Sequence, residues 1–275
     1  MSKSAGITQN KKLAFGIDPD KSRYRLRTAR YQAMAESVAE FVRNQNLRKA
    51  EKLNLLDVGL GSGRSMKFID AAGVSEHLTY FGVDNSEKRL AIVYNRERWT
   101  LERCDLEQDK LPFDSDMFDL VICEQVLEHL INPDFALQEI GRVLRPGGLA
   151  IIGVPILAPG LAFARKHIVP LLDRLMGKGR SHQQVFTYGS FMELIKDNRC
   201  FSIRQAKGFR IISGGPLFGQ LENFYWWYKF NRLLGRVTPW LCPEIQVVAV
   251  RVPFATGCAA ETEEGLAKSD HCTIP

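Results

Sequence analysis

The spacing of apolar positions changes twice along this chain. Between residues 28 and 47, Tyr31, Met34, Ala35, Val38, Phe41 and Val42 recur three or four positions apart, which predicts an amphipathic helix. From Leu53 onward, short apolar runs alternate with helical spacing. The runs Leu53–Val58, Leu78–Val83, Trp99–Cys104, Phe118–Cys123 and Leu149–Val154 read as buried strands. Between them, Arg64–Ala72, Glu87–Tyr94 and Pro133–Leu144 read as helices, the last stopped by Arg145-Pro146-Gly147-Gly148. Strands that are apolar on both faces, each followed by a helix, predict a mostly parallel sheet with helices on both sides, a doubly wound α/β fold. Ligands in such sheets bind beyond the carboxyl ends of the strands, near the switch in strand order.

After Pro155 the alternation fails. Residues 156–187 contain a basic, partly amphipathic segment and read as an insertion or lid. Gly189–Lys196 reads as a helix, and Cys200–Ile212 and Ile245–Val252 as two closing strands able to pair antiparallel. The aromatic stretch Phe224-Tyr225-Trp226-Trp227-Tyr228-Lys229-Phe230, within an acceptor-side segment of about residues 213–243, shows neither helical nor strand alternation. Ordinary core, a pocket lining and a membrane-interface contact beside Lys229, Arg232 and Arg236 all remain open for it. Residues 1–27 are expected to form a flexible lead-in, 28–252 the folded domain, and 253–275 a disordered tail.

Composition narrows the class. The 275 residues are 45% hydrophobic and 25% charged, the balance of an ordinary globular chain. None of the six cysteines forms a CxxC pair or has a histidine at ligand spacing, so reduced thiols, a cytoplasmic location and no metal site are expected. The start, Met1-Ser2-Lys3-Ser4, leads into no apolar segment, so no secretory signal is expected. Glycines and prolines interrupt the uncharged stretch from Pro146 to Ala164, which argues for a strand and loop rather than a spanning helix. The net charge of +6 is unevenly placed. Residues 1–50 carry 11 basic and 4 acidic side chains, 51–159 carry 11 and 18, and 160–210 carry 10 and 3. Basic faces of this kind suit solvent, an anionic substrate or an anionic membrane. The basic runs lack interleaved aromatics, so no nucleic-acid partner is expected.

The chemistry sits at the strand ends. Leu55-Leu56-Asp57-Val58-Gly59-Leu60-Gly61-Ser62-Gly63 carries the chain from a strand into a tight turn, where glycines let the backbone approach a ligand. The spacing is G-x-G-x-G rather than the G-x-G-x-x-G of dinucleotide sites. Asp57 precedes the loop, and an acidic residue there suits a ligand carrying positive charge rather than pyrophosphate. Asp84, in Gly82-Val83-Asp84-Asn85-Ser86, ends the second strand, where a carboxylate accepts both hydroxyls of a ribose, unless it only caps the next helix. Asp105-Leu106 ends the third strand, where the carboxylate suits an adenine amino group, or serves only as a turn residue.

Residues 53–155 resemble the core of a class I S-adenosylmethionine-dependent methyltransferase of the UbiE-like type. The matching pieces are Leu56-Asp57-Val58-Gly59-x-Gly61-x-Gly63, Gly82-Val83-Asp84, Asp105-Leu106 with Leu111-Pro112-Phe113, Phe118-Asp119-Leu120-Val121, Leu127-Glu128-His129-Leu130 and Leu144-Arg145-Pro146-Gly147-Gly148. The resemblance implies a seven-stranded Rossmann-like sheet with an antiparallel closing hairpin, and S-adenosylmethionine as cofactor. It places Asp57, Gly59, Gly61 and Gly63 near the methionine moiety, Asp84 and Asn85 at the ribose, Asp105 and Leu106 at the adenine, and Glu124 and Gln125 along the reaction cleft. Leu60 departs from the small or polar residue usual there and is expected to face outward. His129 and His182 are the candidate general bases, each also readable as a structural histidine. The expected acceptor is a small molecule, a saccharide or a lipid-linked compound such as a glycolipid, with peripheral membrane contact through the basic and aromatic segments. A nicotinamide-dependent oxidoreductase is disfavoured by the glycine spacing and by Asp105. A cofactor-binding scaffold without catalysis is the remaining alternative.

Overall fold

The computed structural model describes residues 25–45, 51–157, 184–213, 215–222 and 224–253. Seven strands form one sheet: β1 Leu53–Val58, β2 Leu78–Asp84, β3 Trp99–Arg103, β4 Phe118–Glu124, β5 Leu144–Pro155, β6 Phe201–Phe209 and β7 Glu244–Arg251. Their order is β3-β2-β1-β4-β5-β7-β6. The first five run parallel, while β7 pairs antiparallel with both β5 and β6. The doubly wound, mostly parallel sheet and its antiparallel closure are therefore as the sequence predicts. β7 inserts between β5 and β6, so the strand nearest the chain's end lies inside the sheet rather than at its edge.

Alternate residues of the central strands feed two cores. Leu55, Leu120, Ile122 and Ile151 face one side, where they meet Met34, Val38 and Val42 of α1 (Ala29–Asn44) and Met66 and Ile69 of α2 (Arg64–Ala71). Leu56, Val121, Cys123 and Ile152 face the other. There they meet Leu137 and Ile140 of the helix Pro133–Val143 and Phe191 and Ile195 of the helix Tyr188–Asp197. Between β2 and β3 lies the short α3 (Glu87–Ala91), so Pro133–Val143 is α4 and Tyr188–Asp197 is α5. The helix expected over Glu87–Tyr94 ends early, at Ala91, where Ile92 leaves the helical region at φ −114°, ψ 18°.

α6 (Gly215–Leu221) and α7 (Tyr225–Val237) follow β6. The aromatic stretch that showed no periodicity is thus a helix. Trp227 and Tyr228 point into a third, smaller core with Leu26, Ala33 and Phe209. Their neighbours Tyr225, Trp226 and Phe230 are exposed, so apolar residues occupy both faces and mask the helical period.

Two further expectations are corrected. Leu60 does not face outward: it is buried, with its Cδ1 about 3.0 Å from where a β-carbon on Gly82 would sit. Left-handed glycines on both sides, Gly59 at φ 68° and Gly61 at φ 58°, turn the loop so that this side chain points back at β2. Strand β5 also begins earlier than expected. Leu144 pairs with Phe118, and the pairing resumes at Leu149 opposite Leu120, so Arg145–Gly148 form a bulge within the strand.

Of the sequence-defined segments, the tail beyond 253, residues 1–24 and the middle of the insertion at 158–183 lie outside the described residues. The two ends of the insertion are held together: Ile156 bridges Phe186, Leu157 N–H donates to the Phe186 carbonyl, and Gln184 N–H donates to the Glu128 carbonyl. Among the described residues, no helix is long and apolar enough to cross a membrane.

Candidate active site

Two cavities open at the carboxyl ends of the parallel strands, and Gln125 lines both. The first, about 450 Å³, is bounded by the loop after β1 (Gly59), the end of β2 (Val83, Asp84, Asn85, with Arg89 above), the end of β3 (Cys104, Asp105, Leu106) and the turn after β4 (Val126, His129, Leu130). It sits where strand order reverses between β1 and β4, the position the topology dictates.

The glycine loop shapes this cavity by close approach. A β-carbon on Gly59 would lie 2.4 Å from Val126 Cγ2, whereas one on Gly61 would meet nothing within 4 Å, leaving open space above the loop. Asp84 is buried at 3% exposure, and its carboxylate organises the rim. Oδ2 accepts from Gly61 N–H at 3.1 Å, Oδ1 accepts from Ser86 N–H at 2.9 Å, and Arg89 Nε lies 3.0 Å from Oδ1. Arg89 also donates to Asn85 Oδ1 at 2.7 Å. Ser86 makes no side-chain cap, so Asp84 rather than Ser86 satisfies the turn into α3. Asp105 Oδ1 accepts from Glu107 N–H at 3.2 Å, combining the turn role with a place on the cavity wall.

Asp57 is not on the wall. It is buried beneath the loop, where its carboxylate accepts a short hydrogen bond from Ser65 Oγ. Burial, opposed by the Ser65 bond and aided by nearby Asp84, pushes its carboxyl up to about 7. Glu124 likewise lines neither cavity. It lies between Gln246, whose Nε2 donates to Oε1 at 2.6 Å, and Arg30, 3.6 Å away, and burial raises its carboxyl to about 7 despite Arg30. The carboxylate fits there only because residue 153 is glycine: a β-carbon on Gly153 would lie 2.6 Å from both Glu124 oxygens. Its neighbour Gln125 is held with φ 60°, a conformation that costs a non-glycine residue of order 1 kcal/mol, and its N–H donates to the Gly153 carbonyl at 2.8 Å.

His129 lines the first cavity beside Asp105 and Leu106 and is absent from the walls of the second. Its Nε2 lies 3.9 Å from Glu128 Oε1, and nearby Asn132 caps α4 by accepting from Phe135 N–H. His182 lies outside the described residues.

The second cavity, about 540 Å³, has residues that sequence reading did not single out. Arg30 and Tyr31 enter from the start of α1, Arg64 from the start of α2, Arg210 from the end of β6, and Pro243 and Glu244 from the start of β7. Pro155, Ile156, Leu157, Val185 and Phe186 form an apolar wall. Glu244 pairs with Arg210 at 2.6 Å and with Arg30 at 3.5 Å. The arginines come from remote elements and share no motif. The basic excess of residues 1–50 and 160–210 was a signal for Arg30 and Arg210, whereas Arg64 lies in the acidic stretch 51–159, directly after the glycine loop.

Residues 56–152 match the model of a family described as a methyltransferase domain. An uncharacterized methyltransferase of Mycolicibacterium vanbaalenii is 37% identical over 190 residues, covering 66% of this chain and 71% of that one. A ubiquinone biosynthesis O-methyltransferase of Agrobacterium fabrum is 30% identical over 134 residues, covering 46% of this chain and 52% of the relative. A demethylmenaquinone methyltransferase of Clavibacter sepedonicus is 30% identical over 135 residues, covering 46% and 54%. This chain thus spans about half the length of the latter two relatives. Among solved structures, the CurJ carbon methyltransferase superposes with a TM-score of 0.55 at 13% identity, over 90% of this chain and 58% of that one. The [4+2]-cyclase SpnF superposes with a TM-score of 0.50 at 17% identity, over 80% and 81%. At such identities the likeness shows the fold, and the cyclase illustrates that the fold alone does not fix the chemistry. The chain belongs to the class I S-adenosylmethionine-dependent methyltransferases of the UbiE-like group.

Proposed function

We propose that the first cavity holds S-adenosylmethionine and the second holds the methyl acceptor, a small molecule. The observation that carries this is the shared wall: Gln125 borders both cavities, so a donor and an acceptor can meet across it. The residues of the first cavity fit the cofactor. Asp84 offers a buried carboxylate for the ribose hydroxyls, Asp105 and Leu106 offer an acceptor and an apolar surface for adenine, and the space above Gly61 leaves room at the loop. S-adenosylmethionine, when bound, supplies a methyl group already activated by its sulfonium charge. The protein's own part is then positioning, which contributes on the order of 7–11 kcal/mol to reactions of this kind. Gln125, fixed in one strained conformation, orients groups at the junction, and the apolar wall from Pro155 to Leu157 keeps water from it. A base acts only if the acceptor must lose a proton; of the two candidates, His129 stands on the donor side of the junction, and His182 lies outside the described residues.

Calorimetric titration with S-adenosylmethionine, S-adenosylhomocysteine and NAD tests the assignment. Binding of both sulfur nucleosides and not of NAD is the expected result. Absence of heat with either nucleoside overturns it.

A membrane-presented, lipid-linked acceptor is favoured by one specific feature. The exposed side of α7 and the turn after it carries Trp226, Phe230, Leu233, Val237, Trp240 and Leu241 beside Lys229 and Arg236. Trp240 and Leu241 lie just before Pro243 and Glu244 of the acceptor cavity. Aromatic and basic residues on one such surface suit a lipid interface. Co-sedimentation with phosphatidylglycerol vesicles, weakened by added salt, is expected. A protein that stays in the supernatant at both low and high salt removes this reading.

A further inference from the structure

We infer that the acceptor carries an oxyanion group, a carboxylate or a phosphate, which docks on Arg30, Arg64 and Arg210. The inference rests on the assignment of the second cavity to the acceptor.

Three guanidinium groups face this cavity from three separate elements, and the carboxylates near them do not balance them. Glu244 serves two of the arginines at once, 2.6 Å from Arg210 and 3.5 Å from Arg30. Glu124, behind Arg30, is pushed by burial toward its neutral form. Arg64 meets no carboxylate among the described residues; its guanidinium stands 5.9 Å from the Tyr31 ring, whose surroundings include Arg30 at 4.8 Å. The cluster therefore keeps a positive surplus at neutral pH.

The hydrogen-bonding capacity is incomplete in the same place. Pairing within the cluster is loose: Arg30 stands 3.6 Å from Glu124 and 3.5 Å from Glu244, beyond a good hydrogen bond, and Arg210 Nε has no hydrogen-bond partner among the described residues. Buried donors left unpaired cost free energy, and donor forks of this kind match the two oxygens of a carboxylate or phosphate. Arg30 and Arg210 are mostly buried and share Glu244, so a further anion at this place is favoured, and an incoming oxyanion supplies one. The opposite wall is apolar, from Pro155 to Leu157 with Phe186, so the occupant has an uncharged body as well as its anionic head. At about 540 Å³ the cavity suits an organic molecule rather than a bare ion.

The test is calorimetry of the full chain with benzoate, phenyl phosphate and the neutral isostere benzyl alcohol, each with and without saturating S-adenosylhomocysteine. At least one anion is expected to bind ten times or more tightly than benzyl alcohol, and which anion binds better separates carboxylate from phosphate acceptors. Arg64→Gln is the primary variant because Arg64 is exposed and its loss leaves no buried carboxylate unpaired. It is expected to weaken anion binding about tenfold while S-adenosylhomocysteine binds as before. Arg210→Lys, which keeps the charge opposite Glu244 but loses the fork, is expected to weaken it less. Equal affinity for the anions and benzyl alcohol, in a protein that binds S-adenosylhomocysteine, overturns the inference and leaves the methyltransferase reading intact. Anion binding without any nucleoside binding leaves an anion site but overturns the methyltransferase reading, and with it the assignment of that anion to a methyl acceptor.

Discussion

Asp84→Ala is expected to weaken S-adenosylhomocysteine binding by at least 100-fold and to cost about 1–3 kcal/mol of stability. The reason lies in how the carboxylate is shared. Its oxygens already accept from the backbone of Gly61 and Ser86, and they face the cavity beside Asn85 and Arg89. Charge-assisted bonds to two ribose hydroxyls are each worth about 1.5–3 kcal/mol, so losing both removes about 3 kcal/mol or more, which is 100-fold or more in affinity. The loop also loses its anchor at Gly61. The stability cost comes from Gly61 N–H and Ser86 N–H, which lose their acceptor, while Arg89 is half exposed and is solvated when its partner goes. Asp84→Asn, which keeps an acceptor but not the charge, should fall between. Calorimetry gives the affinities and thermal unfolding the stability. A variant that binds within threefold of the wild type removes Asp84 from the cofactor site.

Gly153→Ala is expected to destabilise the protein by about 1–3 kcal/mol, in the range of overpacked cores, and to lower its melting temperature by roughly 2–12 °C. The added methyl meets the Glu124 carboxylate at 2.6 Å, and Glu124 has little freedom to retreat from Gln246 and Arg30. The strain also reaches Gln125, whose N–H rests on the Gly153 carbonyl. The double variant Gly153→Ala/Glu124→Ala should be more stable than the sum of the single effects, because truncating Glu124 frees the space and Arg30 retains Glu244. Urea unfolding of the four proteins gives the coupling. A single variant within 0.5 kcal/mol of the wild type would show that the contact carries no strain.

The parallel half of the fold was legible because each strand, buried on both faces, leaves a continuous apolar run. β1 matched its predicted bounds, and β2 to β4 matched within a residue. Legibility failed where local signal and packing disagree. α7 was missed because Trp226 and Phe230 stay exposed while Trp227 and Tyr228 are buried. Leu60 was misdirected because nothing in a strand–loop pattern reveals how two left-handed glycines aim the residue between them. Residues of the first cavity could be picked out because Asp84 and Asp105 end successive strands, a local pattern. Those of the second could not, because Arg30, Arg64, Arg210 and Glu244 meet only once the sheet has closed.

That closure sets an order of assembly during synthesis. Strands β1 to β5 pair through near neighbours, so the donor half can form once the chain has emerged to about Pro155. The strand that completes the acceptor wall, β7, must then enter between β5 and a β6 made before it, some 90 residues after its partner β5. Pairings of such long separation form slowly. If the proposed assignment holds, a ribosome-bound chain would therefore complete the cavity for the nucleoside before the cavity that chooses what is methylated.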